Sequence, residues 1–158
     1  MIVVSDTGPL NYLALIGHLD VLPVLYGQVV VPRAVASELS RPSSPAVIRA
    51  YLESPPAWLR VDEAPPADSA LSALGEGEQQ AIALACALGA DLLLCDDRDA
   101  RETAVSRKLR VTGTLGVLQE AAQSGLLDLA TALTTLRQTN FRVSASVIDR
   151  ILQDGQMR

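Results

Sequence analysis

The chain has 158 residues, of which 49% are hydrophobic and 20% are charged, which fits one globular domain and excludes a disordered segment. No apolar run approaches the roughly 20 residues of a membrane-spanning helix, and the first residues lack the basic stretch of a signal peptide, so we expect a cytoplasmic protein. The net charge is −5, and only one of the thirteen basic residues is a lysine, so binding of nucleic acid would depend on a local basic patch, a metal ion or an oligomer.

Short apolar, β-rich segments alternate along the chain with segments of helical period. The predicted strands are residues 2–4, 29–31, 59–61, 91–95 and 110–112. Helical patterns lie between them, in the segments 9–27, 32–40, 44–54, 75–90 and 100–108, and three more follow at 114–127, 128–138 and 144–153. This alternation predicts an α/β fold with a parallel sheet covered on both faces, in a single domain that spans residues 1–158.

The two cysteines and the one histidine exclude several kinds of site. Cys86 lies in an apolar helical run and Cys95 ends a predicted strand, so we expect both to be small buried side chains, and two cysteines alone do not form a zinc site. His18 follows a glycine at an expected turn. A single histidine excludes a two-histidine mechanism, and a Ser-His-Asp triad has no G-x-S-x-G motif to support it.

Carboxylates follow several predicted strands, and ligands bind beyond the carboxyl ends of the strands in open parallel sheets. Asp6 follows the first strand, Glu38 lies on the helix after the second, and Asp96 and Asp97 follow the fourth. Carboxylates from such distant parts of the chain could meet in one cleft. The first two of these acids also have a local explanation. Asp6 could be the N-cap of the next helix or form the turn before it, and Glu38 could be a surface residue at a helix end.

A fifth carboxylate, Glu78, is expected to face inward. In the segment GEGEQQAIALACAL it stands four residues before Ile82, on the side of the helix that should be buried. Glu76 and Glu78 also suit the positive end of the helix dipole, but the dipole does not require an acid that faces inward.

Three aspartates lie within four positions in the segment LLLCDDRDAR. Asp96 and Asp99 resemble a capping box for the following helix, which leaves Asp97 without a local role. Like charges this close repel one another, and a divalent cation would relieve the repulsion. Mg²⁺ takes oxygen ligands from carboxylates, water and phosphate and can activate water for attack on a phosphodiester. The acids therefore favour a metal site suited to phosphodiester cleavage.

The chain contains, in this order, VVSDTGPL, VVVPRAVASEL, LGEGEQQAIALACALGADLLLCDDRDAR and VTGTLGVL, followed by NFRVSASVIDRIL near the C-terminus. Together these segments resemble the PIN domain family. The resemblance implies a three-layer α/β/α sandwich with a central parallel sheet and a pooled acidic site. It also implies a ribonuclease dependent on Mg²⁺ or Mn²⁺, which in many members is a toxin inhibited by an antitoxin encoded beside it.

The resemblance assigns roles to positions of this chain. The implied catalytic residues are Asp6, Glu38, Glu78 and Asp97, and the implied metal ligands are these four and Asp96. Many members of the family have an aspartate where this chain has Glu78. Residues expected to orient carboxylates or water molecules are Ser5, Thr7, Asp99 and Thr112.

The remaining expectations concern two arginines and the binding partners of the protein. Arg98 and Arg101 are expected to bind nucleic acid, with ion pairs to Asp97 and Glu102 as the alternative. A homodimer is expected, because two subunits could frame a groove with the arginines between residues 98 and 110. The partners implied are an RNA substrate and an antitoxin protein.

Two other functions remain open from the residues alone. The first is a PIN-like module that binds RNA or a protein without cleaving. The second is a phosphatase with an aspartate nucleophile, but the segment SDTGP lacks the second aspartate of a D-x-D-x-T loop and no lysine follows at a useful position.

Overall fold

A computed structural model describes residues 1–156, with side chains up to residue 154. Its centre is a sheet of β1 (Val3–Ser5), β2 (Val29–Pro32), β3 (Leu59–Asp62), β4 (Leu92–Leu94) and β5 (Val111–Thr112). The strands pair in parallel in the order β3-β2-β1-β4-β5. Each strand begins and ends within one residue of its predicted position, because buried parallel strands are short apolar runs.

Helices fill the connections. They are α1 (Thr7–Leu15), α2 (Val21–Tyr26), α3 (Arg33–Leu39), α4 (Ala46–Glu53), α5 (Glu76–Leu88), α6 (Arg98–Ser106), α7 (Thr114–Gln123), α8 (Leu129–Arg137) and α9 (Ala145–Gln156), with a short 3₁₀ turn at Ser69–Leu71. The predicted helical segment 9–27 is two helices. Gly17 adopts a positive φ of 77° just after α1, a conformation that glycine reaches without strain, and the chain turns there before α2.

Alternate strand residues pack against helices on opposite faces of the sheet. Val3 and Val29 belong to a core formed with α1, α2, α3, α4, α7, α8 and α9. Val4 and Val30 belong to a second core formed with α5 and α6. This arrangement confirms the expected three-layer α/β/α class.

The strand order reverses at the junction of β1 and β4. From the central β1 the chain builds outward through β2 to β3, and it then crosses to β4 and β5 on the other side. The helices that leave this junction lie on opposite faces, α1 with the first core and α6 with the second. The backbone N–H of Asp6 donates to the carbonyl of Leu94 over 2.8 Å, which joins the two strand ends. A crevice at such a switch point is the usual ligand site of an open α/β sheet.

Two expectations concern burial. Cys95 is buried as predicted, but the prediction for Cys86 is wrong because its thiol is exposed. The run around Cys86 is apolar on all sides, so its periodicity does not reveal which side of α5 faces solvent. Within residues 1–156, no helix combines the length and the apolar character needed to cross a bilayer.

Candidate active site

Asp6 lies directly after the central strand, at the carboxyl edge of the sheet. It is 7% exposed and occupies the N-cap position of α1 without making the side-chain capping bond. The Cys95 thiol donates a weak hydrogen bond to it, with Sγ 3.7 Å from Oδ2. Burial raises the pKa of Asp6 to about 6 against the effect of the Thr7 backbone N–H and the thiol, and the charges of Glu38 and Asp96 add to the rise. Helix capping therefore does not explain this buried acid.

Glu38 reaches the same edge from α3. Its Oε2 accepts a hydrogen bond of 2.8 Å from the Thr7 hydroxyl at the start of α1. Its Oε1 lies against α5 at Gly77, where a Cβ atom would come within 2.9 Å of it. Glu38 is thus held between α1 and α5, and the missing side chain at Gly77 makes the room.

Glu78 makes a hydrogen bond at the start of its own helix and lies near another acid of the cluster. Its Oε1 accepts a 3.0 Å bond from the Gly75 backbone N–H and closes the first turn of α5. The carboxyl of Asp97 lies close enough for its charge to act on Glu78. Burial raises the pKa of Glu78 to about 7, opposed by the Gly75 bond and increased by the charges of Asp97 and Asp6.

Asp96 connects β4 to the helices on either side. Its Oδ1 accepts a 2.7 Å bond from the Thr114 backbone N–H, and its Oδ2 accepts a 2.6 Å bond from the Thr114 hydroxyl. A Cβ atom on Gly8 would come within 3.0 Å of Oδ2, so the carboxylate also lies against the first turn of α1. Burial raises the pKa of Asp96, and the Thr114 bonds and the Arg101 charge oppose that rise.

The cap of α6 is one residue later than predicted. Asp97, not Asp96, is the N-cap, and its Oδ2 accepts a 3.0 Å bond from the Ala100 backbone N–H. The expected pairing of Asp96 with Asp99 as a capping box is therefore wrong. Asp99 is exposed in the first turn of α6, where its charge suits the helix dipole.

The hydroxyl groups that contact carboxylates are not all the ones expected to do so. The Ser5 hydroxyl donates to the main-chain carbonyl of Asp6 over 2.9 Å rather than to a carboxylate. In the part of the chain with described side chains, Thr112 donates to none of the five acids, and its hydroxyl faces Gly116. Thr114, which is fully buried, makes the carboxylate contact instead. The sequence shows that polar residues follow the fifth strand, but not which of them points at Asp96.

The two arginines expected to bind nucleic acid lie in different surroundings. Arg98 forms an exposed ion pair with Glu102, with 3.2 Å between Nε and Oε1, as the alternative interpretation proposed. Arg101 lies at the site: its Nη1 is 3.5 Å from the Cys95 carbonyl, and its charge lowers the pKa of Asp96. Cys95 was not among the predicted site residues, although its position just before two aspartates was a possible signal.

Within the described side chains, up to residue 154, the five acids have no ion-pair partner. Among residues with described side chains, the ion pairs are Arg33–Glu63, Arg60–Asp62, Arg98–Glu102 and Arg107–Asp68. The acids near Asp6 therefore repel one another, and their charges add to the rise in the pKa of Asp6 and of Glu78 that burial causes.

A family model described as a PIN domain matches residues 2–156, nearly the whole chain. The chain belongs to the PIN domain family. PIN domains are generally nucleases.

A solved structure supports the fold of this PIN domain independently. The chain is similar to a PilT N-terminus domain protein, SSO1118, from the hyperthermophilic archaeon Sulfolobus solfataricus P2, with a TM-score of 0.55 and 16% identity. The similarity covers 91% of this chain and 100% of the other, and at this identity it shows the fold alone. No curated protein sequence matches the chain significantly.

The chemistry of the acid set fits a divalent cation. Its ligand atoms would be carboxylate oxygens, the type that Mg²⁺ and Mn²⁺ accept, and their unrelieved repulsion is what a bound cation would neutralise. As the described side chains stand, no three Asp, Glu, His or Cys residues form a ready metal site. The acids would have to draw together around an ion.

Proposed function

We propose that this PIN domain is a metal-dependent endoribonuclease that hydrolyses RNA phosphodiesters. The observation that carries the proposal is Asp6, a buried acid at the switch point of the sheet that caps nothing, pairs with no cation among the described side chains and is surrounded by other acids. A fold gains no stability from such an arrangement, because an isolated buried charge is costly. Strained electrostatics of this kind are typical of functional sites.

The acids proposed to hold Mg²⁺ or Mn²⁺ are Asp6, Glu38, Glu78, Asp96 and Asp97. A divalent cation bound by them would lower the pKa of a coordinated water and offset charge on the phosphate that is attacked. Thr7 would fix the orientation of Glu38, and Thr114 that of Asp96, through the bonds described above.

Glu78 is suited to proton transfer. Its carboxylate lies among the acids proposed to hold the cation, where it could accept a proton from an attacking water as a general base. Arg101, next to Asp96, would attract the phosphate that the acids alone would repel.

The test is cleavage of a mixed RNA pool by purified protein in EDTA, Mg²⁺ or Mn²⁺. Asp6→Asn is expected to reduce the metal-dependent rate by about a hundredfold or more. The matched control is Asp128→Asn, since Asp128 caps α8 by accepting a 2.9 Å bond from the Thr131 backbone N–H and is not among the five acids. Equal rates for Asp6→Asn and the wild-type protein would remove the proposal.

A narrower proposal is that the chain is the toxin of a toxin–antitoxin pair and forms a homodimer. Its support is the family alone. Expression should then arrest growth, co-expression of a small neighbouring gene should restore it, and light scattering should give the mass of two chains. Growth arrest that persists in Asp6→Asn would assign the toxicity to something other than cleavage.

A second candidate function is a PIN module that binds RNA without cleaving it. The observation in its favour is that Glu78 and Asp97 both serve as caps, at α5 and α6. Metal-independent RNA binding with no cleavage in any condition would select this function.

A further inference from the structure

A cavity of about 420 Å³ opens beside the acid cluster, between the end of β5, the start of α7 and the loop before α9. Its wall includes Asp96 and Arg101 on one side, and Gln119, Phe141 and Arg142 from the C-terminal third of the chain. The volume falls within the range of pockets that hold small ligands, roughly 300–1,000 Å³. Asp96 belongs to both the cavity wall and the acid cluster, so the cavity adjoins the cluster.

Two guanidinium groups give the cavity a charge opposite to that of the neighbouring acids. Neither Arg101 nor Arg142 forms an ion pair with an acidic side chain within the described residues. Arg142 is exposed, and its charge reaches the phenol of Tyr12, where it opposes the pKa rise caused by burial and by Asp96. In a chain of net charge −5, these two arginines form a local basic patch.

The cavity also has an aromatic wall held in position. Phe141 packs edge-on against Tyr12, with 4.8 Å between ring centroids and 82° between ring planes. The Tyr12 hydroxyl donates a 2.9 Å bond to Asn140 Oδ1. The Phe141 backbone N–H donates to the Thr139 hydroxyl over 3.1 Å, and that hydroxyl donates to the Leu136 carbonyl over 2.6 Å. These contacts fix the position of Phe141 on the cavity wall, and Arg142 follows it directly in the chain.

We propose that this cavity binds a nucleotide of single-stranded RNA next to the phosphate that is cut, with Arg142 on a backbone phosphate and Phe141 against a base. Guanidinium groups bind phosphate through charge-assisted hydrogen bonds, and an aromatic ring stacks on any base. The Gln119 side chain, on the same wall, can hydrogen-bond to a base edge or a ribose hydroxyl. The inference rests on the proposed nuclease function, because a strand whose phosphate lies at the acids would continue past Asp96 into the cavity.

The experiment measures binding of a fluorescent single-stranded RNA of mixed sequence by anisotropy, in EDTA and over a series of salt concentrations. Arg142→Gln is expected to weaken binding about tenfold and to reduce the slope of log Kd against log salt by about 0.7, the value of one phosphate contact on a single strand. Phe141→Leu is expected to weaken binding about tenfold without changing the slope, because stacking releases no counterions.

The matched control is Arg150→Gln. Arg150 is exposed on α9 and does not line the cavity, and its replacement changes the net charge by the same amount. Thermal melting of all three variants verifies that they fold. In a cleavage assay with Mg²⁺ or Mn²⁺, the two cavity variants should raise KM and leave kcat within about twofold of the wild-type value.

The outcomes separate this inference from the proposed function. If Arg142→Gln and Phe141→Leu cleave RNA as well as the control Arg150→Gln does, the inference is overturned and the proposed nuclease function stands. Binding that depends on Arg142 and Phe141, without cleavage in any condition, would support the cavity as an RNA-binding site and overturn catalysis. If the wild-type protein shows no binding and no cleavage, both the inference and the proposed function are overturned.

Discussion

Asp6 and Asp97 both follow a central strand and both stand at the N-cap of a helix, yet only one of them caps. Asp97 accepts a bond from the Ala100 backbone N–H and remains exposed. Asp6 is buried, makes no capping bond and lies among other acids. One carboxylate therefore stabilises its helix locally, while the other is expected to destabilise the fold when charged.

The first prediction concerns the stability of Asp6→Asn against pH. The folded pKa of Asp6, about 6, is above its ordinary 3.8, so between these values the folded state binds a proton that the unfolded state does not. The free energy of unfolding of the wild-type protein therefore falls as pH rises through this window, by up to about 3 kcal/mol. In EDTA, Asp6→Asn should be the more stable protein at about pH 7.5 and equal to the wild type near pH 4.

Urea unfolding of both proteins across this pH range measures the difference, in which acids distant from Asp6 cancel. A variant less stable than the wild-type protein at neutral pH would mean that the Asp6 charge is well solvated or compensated, contrary to its burial.

The second prediction separates the cap from the proposed metal ligand at Asp97. Asp97→Ala should cost about 1 kcal/mol of stability, whereas Asp97→Asn should cost little, because asparagine caps as well as aspartate. Both variants should lose metal-dependent cleavage. Asp128→Ala serves as control, since it removes the cap of α8 and should lose stability but not cleavage. Full cleavage by Asp97→Asn would leave Asp97 as a cap only.

At the scale of elements, α3 and α5 meet where Gly77 leaves room for Glu38. Alanine suits a helix better than glycine by up to about 1 kcal/mol, so Gly77→Ala should leave the melting temperature unchanged or higher. Its Cβ would displace the Glu38 carboxylate, which is the flexible end of a side chain. Cleavage should therefore fall by about tenfold to a hundredfold, because a small misplacement at a reacting centre is costly.

A double-mutant cycle with Glu38→Gln checks this route. If Gly77→Ala acts through Glu38, it should reduce cleavage in the wild-type background and add nothing in the Glu38→Gln background. Additive losses would show that Gly77 affects the site in another way.

The elements themselves were largely predictable from the sequence. All five strands are short apolar runs, and that signal is local. The helical pattern of residues 9–27 was continued across Gly17, although the turn expected at His18 already indicated a break there. The outward side of α5 at Cys86 was missed because an apolar run does not show which side a helix leaves uncovered. That side does not follow from local sequence.

The candidate site was predictable only in part. The acids could be nominated because parallel strands end at one edge of the sheet. The bond from Thr114 to Asp96 and the space at Gly77 join residues far apart in the chain, so their geometry appears only in the folded protein. The cavity wall at Phe141 and Arg142 comes from a loop that no strand-end rule selects.

At the scale of the whole molecule, the strand order makes the acids one electrostatic unit. Because β1 is central and β4 lies next to it, acids from the segments after β1, β2 and β4 reach one edge, with Asp6 in the middle. The basic cavity at Arg101 and Arg142 adjoins this unit through Asp96. The acidic chain therefore carries opposite charges side by side at one edge, an arrangement suited to a cation and a phosphate bound together.

This arrangement predicts that a divalent cation stabilises the whole fold. Binding to the folded state alone adds about 2.7 kcal/mol when the free metal is about a hundredfold above Kd, which in a chain of this size raises the melting temperature by roughly 5–10 °C. Melting in EDTA, Mg²⁺ and Mn²⁺ measures the shift. Asp6→Asn should begin from a higher melting temperature in EDTA and respond little to metal, whereas Asp128→Asn should respond like the wild-type protein. Equal metal shifts in Asp6→Asn and the wild-type protein would place the cation elsewhere, because Asp6 is the most buried of the five acids and lies at the centre of the cluster.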